Sequence, residues 1–272
     1  MTQSLRVHRN INSVDDSITI QHHHRDICDP AILRENSWEE LAPGELNLDL
    51  LTENRIVGHS RGSEALHFDV LRSRTLGEMR KQNWRKLAIV SPTSRCGKTN
   101  VALNLAMSFS KQLDNRTILL DFNFRAPEIS KLLGISNGPA LSSCIQAREE
   151  FATIGKRFGS SLAVAGDDHP VDVKSNILCR KNISRALAAI DHRYQPKLML
   201  FDTPPMLQFH DIADIAPHID CVLLVIDAQT TTAREVELCE RDLARQTNVL
   251  GIILNKCHES VCEYKKYPRY LR

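Results

Sequence analysis

Four side chains in this 272-residue sequence have the types and the order that phosphate chemistry requires: Lys98, Thr99, Asp121 and Asp202. Lys98 and Thr99 close the run Ser91-Pro92-Thr93-Ser94-Arg95-Cys96-Gly97-Lys98-Thr99. A loop of this kind, set between a strand and a helix, aims backbone N–H groups and the positive helix end at bound phosphate. Lys98 would neutralise terminal phosphates, and the Thr99 hydroxyl would ligate Mg²⁺. The candidate nucleotide-binding set is therefore Ser94, Arg95, Cys96, Gly97, Lys98, Thr99 and Asn100. Asp121 and Asp202 each end an apolar run, where a carboxylate can orient Mg²⁺. With Thr99 they form the candidate metal set, and with Lys98 the candidate catalytic set. Gly-Lys-Thr alone also fits an ordinary helix start, and a strand-end aspartate is often a turn residue. The case rests on all three features occurring in this order. The strict phosphate-loop motif has Gly where this chain has Pro92.

Such residues need a sheet edge to gather them. Short, wholly apolar runs at Leu87–Val90, Thr117–Leu120, Leu162–Ala165, Leu198–Phe201, Val222–Ile226 and Val249–Leu254 read as strands buried on both faces. Helical stretches lie between them at Lys98 to Gln112 and Asn182 to His192, and a further helix at Ser63–Gln82 precedes them. That last helix is expected to bury Leu66 and Val70, with Phe68 and Leu71 beside them. Thr232-x-x-Glu235 has capping-box spacing and opens another helix. The fold class is α/β, a mostly parallel sheet with helices on both faces. Ligands in such sheets bind at the carboxyl ends of strands, where Ser91, Asp121 and Asp202 fall.

Charge and composition bound the function. The formal net charge is +2, which argues against a general nucleic-acid coat. It divides unevenly: residues 1–60 carry −5, leaving +7 on the rest. We read residues 1–60 as an acidic, partly disordered arm with two apolar patches, Trp38–Leu41 and Leu46–Leu51, able to dock on the body or a partner. Residues 61–256 form the nucleotide-binding domain and 257–272 a basic tail. No run is long enough for a transmembrane helix. The eight scattered cysteines read as reduced thiols of a cytoplasmic protein.

The order Ser-Pro-x-x-x-x-Gly-Lys-Thr, Leu-Leu-Asp-Phe-Asn-Phe-Arg-Ala-Pro (119–127), Phe-Asp-Thr-Pro-Pro (201–205) and Leu-Asn-Lys (254–256) resembles the bacterial tyrosine autokinases of capsule and exopolysaccharide synthesis. Val101–Ala106 and Asp211 match too, and the resemblance runs from about residue 63 to the C-terminus. It looks closest to the stand-alone cytoplasmic members of exosortase-linked loci, within the wider class of partitioning and division-site ATPases. The resemblance implies a deviant P-loop fold that binds ATP and Mg²⁺ and transfers the γ-phosphate to tail tyrosines of a neighbouring subunit. Asn255 matches the position that recognises adenine. Tyr264, Tyr267 and Tyr270, three of the four tyrosines in the chain, become the phosphoacceptors. The implied partner is a membrane-embedded polysaccharide co-polymerase, reached without a membrane span of the chain's own, and homo-oligomers are implied as well.

Four positions depart from the family pattern. Arg95 replaces a glycine, and Asn123 replaces the second acid of Asp-x-Asp. Leu66, Asp69 and Arg72 align with a subunit-joining Glu-x-x-Arg-x-x-Arg, of which only Arg72 remains. Two other readings therefore stand beside the kinase: an ATP-binding regulator without kinase activity, and a partitioning or division-site ATPase. Two metal-like groups are set aside, His22-His23-His24 with Cys28, and Cys257-His258 with Cys262, because neither has zinc-ligand spacing.

Overall fold

A computed structural model describes residues 37–112, 116–135, 140–172 and 177–257. The first half of the body runs β1 (Ala42–Pro43), α1 (Leu48–Glu53), α2 (Leu66–Lys81), β2 (Lys86–Val90), α3 (Lys98–Ser110), β3 (Thr117–Asp121) and α4 (Ile129–Leu133). Then come α5 (Leu141–Ile145), α6 (Phe151–Ile154), β4 (Lys156–Phe158), β5 (Leu162–Ala165) and α7 (Arg180–Tyr194). The chain closes with β6 (Leu198–Asp202), α8 (Ile212–Ile215), β7 (Cys221–Asp227), α9 (Ala233–Leu243) and β8 (Asn248–Asn255).

The strands form one sheet in the order β1-β4-β5-β3-β6-β2-β7-β8. Every pairing is parallel except β4 with β5. Side chains alternate across each strand, so Ala88 and Val90 enter one core while Leu87 and Ile89 enter the other. Helices cover both cores, which is why the inner strand sequences are apolar throughout. The edge strand β8 departs from the two-sided burial expected of Val249–Leu254, with Ile252 43% and Leu254 52% exposed, because it lies at the end of the sheet. The six strands expected from the sequence are present. The short strands β1 and β4 were not foreseen, because two or three residues carry no periodicity to read.

The acidic N-terminal segment is, from residue 37 onward, part of the body. Trp38, Leu41, Leu51 and Ile56 are fully buried, and Ala42–Pro43 pairs with Lys156–Arg157. The two apolar patches dock on the chain itself. The segment then crosses α3, where the Asn104 side chain accepts from the backbone N–H groups of Val57 and Gly58 at 2.7 Å each.

Helix α2 presents a different face from the one expected. Leu66 and Val70 are exposed, at 60% and 44%, and the buried positions are Thr75 and Met79. The reason is a polar clasp. The Asp69 carboxylate accepts from Arg72 (2.7 Å), from Ser108 of α3 (2.6 Å) and from Lys111 (3.1 Å). Arg72 also donates to the Ser108 carbonyl. Turning the stripe Arg72, Thr75 and Met79 inward leaves Leu66 and Val70 on the opposite side, because residues three and four apart share a face.

Candidate functional site

The functional loop joins β2 to α3. Gly97 is the N-cap of α3 at φ 85°, and no side chain caps the helix. A Cβ at Gly97 would lie 2.3 Å from Asn255 Nδ2, so both conformation and space demand glycine there. Arg95 also sits left-handed, at φ 65°. For a residue with a Cβ that costs about 1–2 kcal/mol. Its exposed side chain lies on the wall of a cleft of about 490 Å³ that also involves Lys98, Thr99, Asn100 and Asn123.

Two segments brace the loop. On one side, Met206 N–H donates to the Ser91 carbonyl and Leu207 N–H to the Pro92 carbonyl. Ser94 Oγ donates to Gln208 Oε1 at 2.6 Å. On the other side, Asn255 Nδ2 donates to the Cys96 carbonyl at 2.9 Å. Lys256 Nζ donates to the Arg95 carbonyl and pairs with Asp227 at 2.9 Å. The Cys96 thiol points inward, close to Thr93 and Thr231, so this residue offers a ligand only its backbone.

Register sets the carboxylates. Asp121 and Asp202 are direct cross-strand partners on β3 and β6, and both are fully buried. Thr99 Oγ1 donates to Asp202 Oδ2 at 2.7 Å, while Asp202 Oδ1 is buried without a hydrogen-bond partner. Asp121 accepts from the backbone N–H groups of Asn123, Glu128 and Ile129. Burial, with the charge of Asp202 adding to it, nevertheless pushes Asp121 up to about 7. Burial also raises Asp202, against the pull of Lys98 and of the Thr99 hydroxyl. Two adjacent buried carboxylates with one orphaned oxygen, beside a threonine hydroxyl and a lysine, are an oxygen-donor set that suits a hard divalent cation.

The structure thus gathers Ser94, Arg95, Gly97, Lys98, Thr99 and Asn100 on one cleft wall, with Asp202 buried behind Thr99 and Asp121 beside it on the next strand. Asn100 is also engaged backwards, its Nδ2 donating to the Asn54 carbonyl at 2.7 Å. Asn255 is not on the cleft wall but behind the loop. Asn123 donates to the Ala126 carbonyl and brings no second acid. Tyr264, Tyr267 and Tyr270 lie outside the described residues, as do the three histidines, Cys28, His258 and Cys262. Among the described residues no group of three or more His, Cys, Asp or Glu could hold a metal, and no helix is long and apolar enough to cross a membrane.

Sequence reasoning missed a second layer. Arg125 makes a two-pronged ion pair with Asp211, both contacts at 3.0 Å, and its guanidinium lies 4.5 Å from the Phe209 ring centre. Arg125, Gln208 and Phe209 line the same cleft as Lys98. The Asp211 match was a signal, but nothing in the sequence linked it to Arg125, 86 positions earlier.

No family model matches the chain. Tyrosine-protein kinase wzc of Salmonella typhi is 31% identical over 196 residues, 71% of this chain and 26% of the relative. The chain spans about a quarter of the length of the curated relatives it matches most strongly. The kinase domain of Escherichia coli tyrosine kinase ETK superposes with a TM-score of 0.65 at 25% identity, covering 74% of this chain and 79% of that one. The septum site-determining protein MinD of Pyrococcus horikoshii, solved with Mg-ADP, shares the fold with a TM-score of 0.51 at 16% identity, over 62% and 69% of the two chains.

Proposed function

The homologues of this chain are bacterial tyrosine-protein kinases, and from that premise we propose that it is an ATP- and Mg²⁺-dependent protein-tyrosine autokinase. Its acceptors would be Tyr264, Tyr267 and Tyr270 in the tail of a neighbouring subunit. Its role would be to regulate exopolysaccharide or capsule synthesis and export, from the cytoplasm, through a membrane-embedded co-polymerase partner.

The observation that carries the reading is the orphaned Asp202 oxygen beside Thr99, directly behind Lys98. In the proposed reaction Lys98 and the loop N–H groups hold the β- and γ-phosphates, while Asn255, expected from the resemblance to read adenine, braces the loop from behind through the Cys96 carbonyl. Thr99, Asp202 and Asp121 would hold Mg²⁺, which when bound spreads the charge of the transferring phosphoryl group. The tyrosine oxygen gains the phosphoryl group, ADP departs, and the phenol proton passes to the carboxylate pair. Arg125, fixed by Asp211, stands where an approaching acceptor would be steered. Asn123 supports one other reading, an ATP-binding regulator without kinase activity, because its amide cannot replace a carboxylate.

Incubation of the purified chain with Mg-ATP, followed by phosphotyrosine blotting and intact mass, tests the proposal. The expected result is added mass in steps of one phosphate, lost in Lys98→Met and in the triple Tyr264/Tyr267/Tyr270→Phe variant. ATP binding without phosphotyrosine, alone or with the partner's cytoplasmic segment, would replace the kinase with the regulator.

A further inference from the structure

A second cleft, of about 510 Å³, opens where α5 and α6 face α7. It shares no wall residue with the phosphate-loop cleft. Phe151, Ile190 and Tyr194 form its buried floor, the two rings meeting edge to face at 5.3 Å. Tyr194 is 2% exposed, yet its hydroxyl has no hydrogen-bond partner. Arg193, Glu150 and Cys144 share the cleft wall with Tyr194, whose hydroxyl also feels the charge of Glu40. Arg185 and Arg148 line the same cleft as Tyr194.

The charges at the mouth are not all spent. Arg193 is held by Glu40 at 2.6 Å and Glu150 at 3.1 Å. Arg185 donates only to neutral acceptors, the Ile145 carbonyl and Asn182 Oδ1, and Arg148 only to Gln146 Oε1. Arg148 follows Ala147, whose φ of 58° is a left-handed conformation that alanine rarely adopts. Glu149 stands beside them on the rim.

A buried hydroxyl without an acceptor is costly, and a cleft with an aromatic floor suits a ring. Two uncompensated guanidiniums with a hydroxyl supply more donors than a carboxylate needs and match the three oxygens of a phosphate. We propose that this cleft is a binding site for an aromatic phosphate, held by Arg148, Arg185 and the Tyr194 hydroxyl. The chemistry is shared by a phosphotyrosyl side chain and a free aryl phosphate. The proposal does not depend on the kinase reading, because it concerns a separate set of residues.

Calorimetric titration of the full chain, with its phosphate loop saturated by Mg-ADP, tests it with three probes. These are phenyl phosphate, inorganic phosphate and a synthetic peptide of residues 261–272 carrying phosphotyrosine at 267. Binding of phenyl phosphate or of the phosphopeptide at least tenfold tighter than inorganic phosphate supports the site. Which of the two binds more tightly identifies the source. Arg148→Ala with Arg185→Ala, both exposed positions, should weaken binding at least tenfold with an unchanged circular dichroism spectrum, and Tyr194→Phe severalfold. No binding of either aromatic probe, equal binding of inorganic phosphate, or indifference to the arginine variants overturns the proposal.

Discussion

Asp202 shows at the residue scale how a site is held ready at a cost in stability. Its carboxylate is buried beside that of Asp121, and one oxygen finds no donor. A neutral amide of the same shape would remove the repulsion and keep an acceptor for Thr99. Asp202→Asn is therefore expected to stabilise the ligand-free protein, since burial penalises the charged carboxylate and a neutral amide escapes that penalty. The same change should weaken Mg-ATP binding at least tenfold. Urea unfolding and calorimetry check the two halves, and a variant that lost stability would mean the pair is not strained. Arg95 is a second such residue, a left-handed position where a side chain sits instead of glycine. Lys98, Thr99, Asp121 and Asp202 were legible in the sequence because each ends or begins an element. Gln208, Phe209 and Arg125 were not, because their role comes from loops that meet only in space.

At the scale of elements, α3 is the hub. Its first turn carries Lys98 and Thr99, its middle holds the N-terminal crossing through Asn100 and Asn104, and its end takes the α2 clasp through Ser108. Apolar periodicity predicted that α2 and α3 exist but mistook the side on which α2 packs. The sequence could not show that Asp69, Arg72 and Lys111 would neutralise one another across two helices, and so be cheaper to turn inward than Leu66 and Val70. The crossing is equally specific. A Cβ at Gly58 would lie 2.1 Å from the Asn104 carbonyl oxygen, with the α3 backbone unable to retreat. Gly58→Ala should cost about 1–3 kcal/mol. Because the crossing adjoins Asn54 and Asn100 at the cleft, nucleotide affinity should fall as well. Thermal unfolding with and without Mg-ADP separates the two effects, and an unchanged midpoint would show that the segment adapts freely.

For the whole molecule, the acidic segment and the body are one core from residue 37. Removing 1–60 takes away Trp38, Leu41, Leu51 and Ile56, each fully buried. Loss of one large buried side chain costs about 2–5 kcal/mol. Loss of all four is expected to leave an insoluble or unfolded product, and a folded, cooperative 61–272 chain would refute the account. The sequence by itself determined the fold class, the strand order of the motifs along the chain and the candidate catalytic residues. Those properties follow from local pattern, namely apolar runs of strand length, a glycine-lysine-threonine loop and acids at strand ends. Only the tertiary structure decided which helix face is buried, where the N-terminal segment lies, that Asn255 braces the loop from behind, and that Tyr194 floors a second cleft. Those are outcomes of burial and charge pairing between residues tens to more than a hundred positions apart, and no local pattern encodes such a pairing.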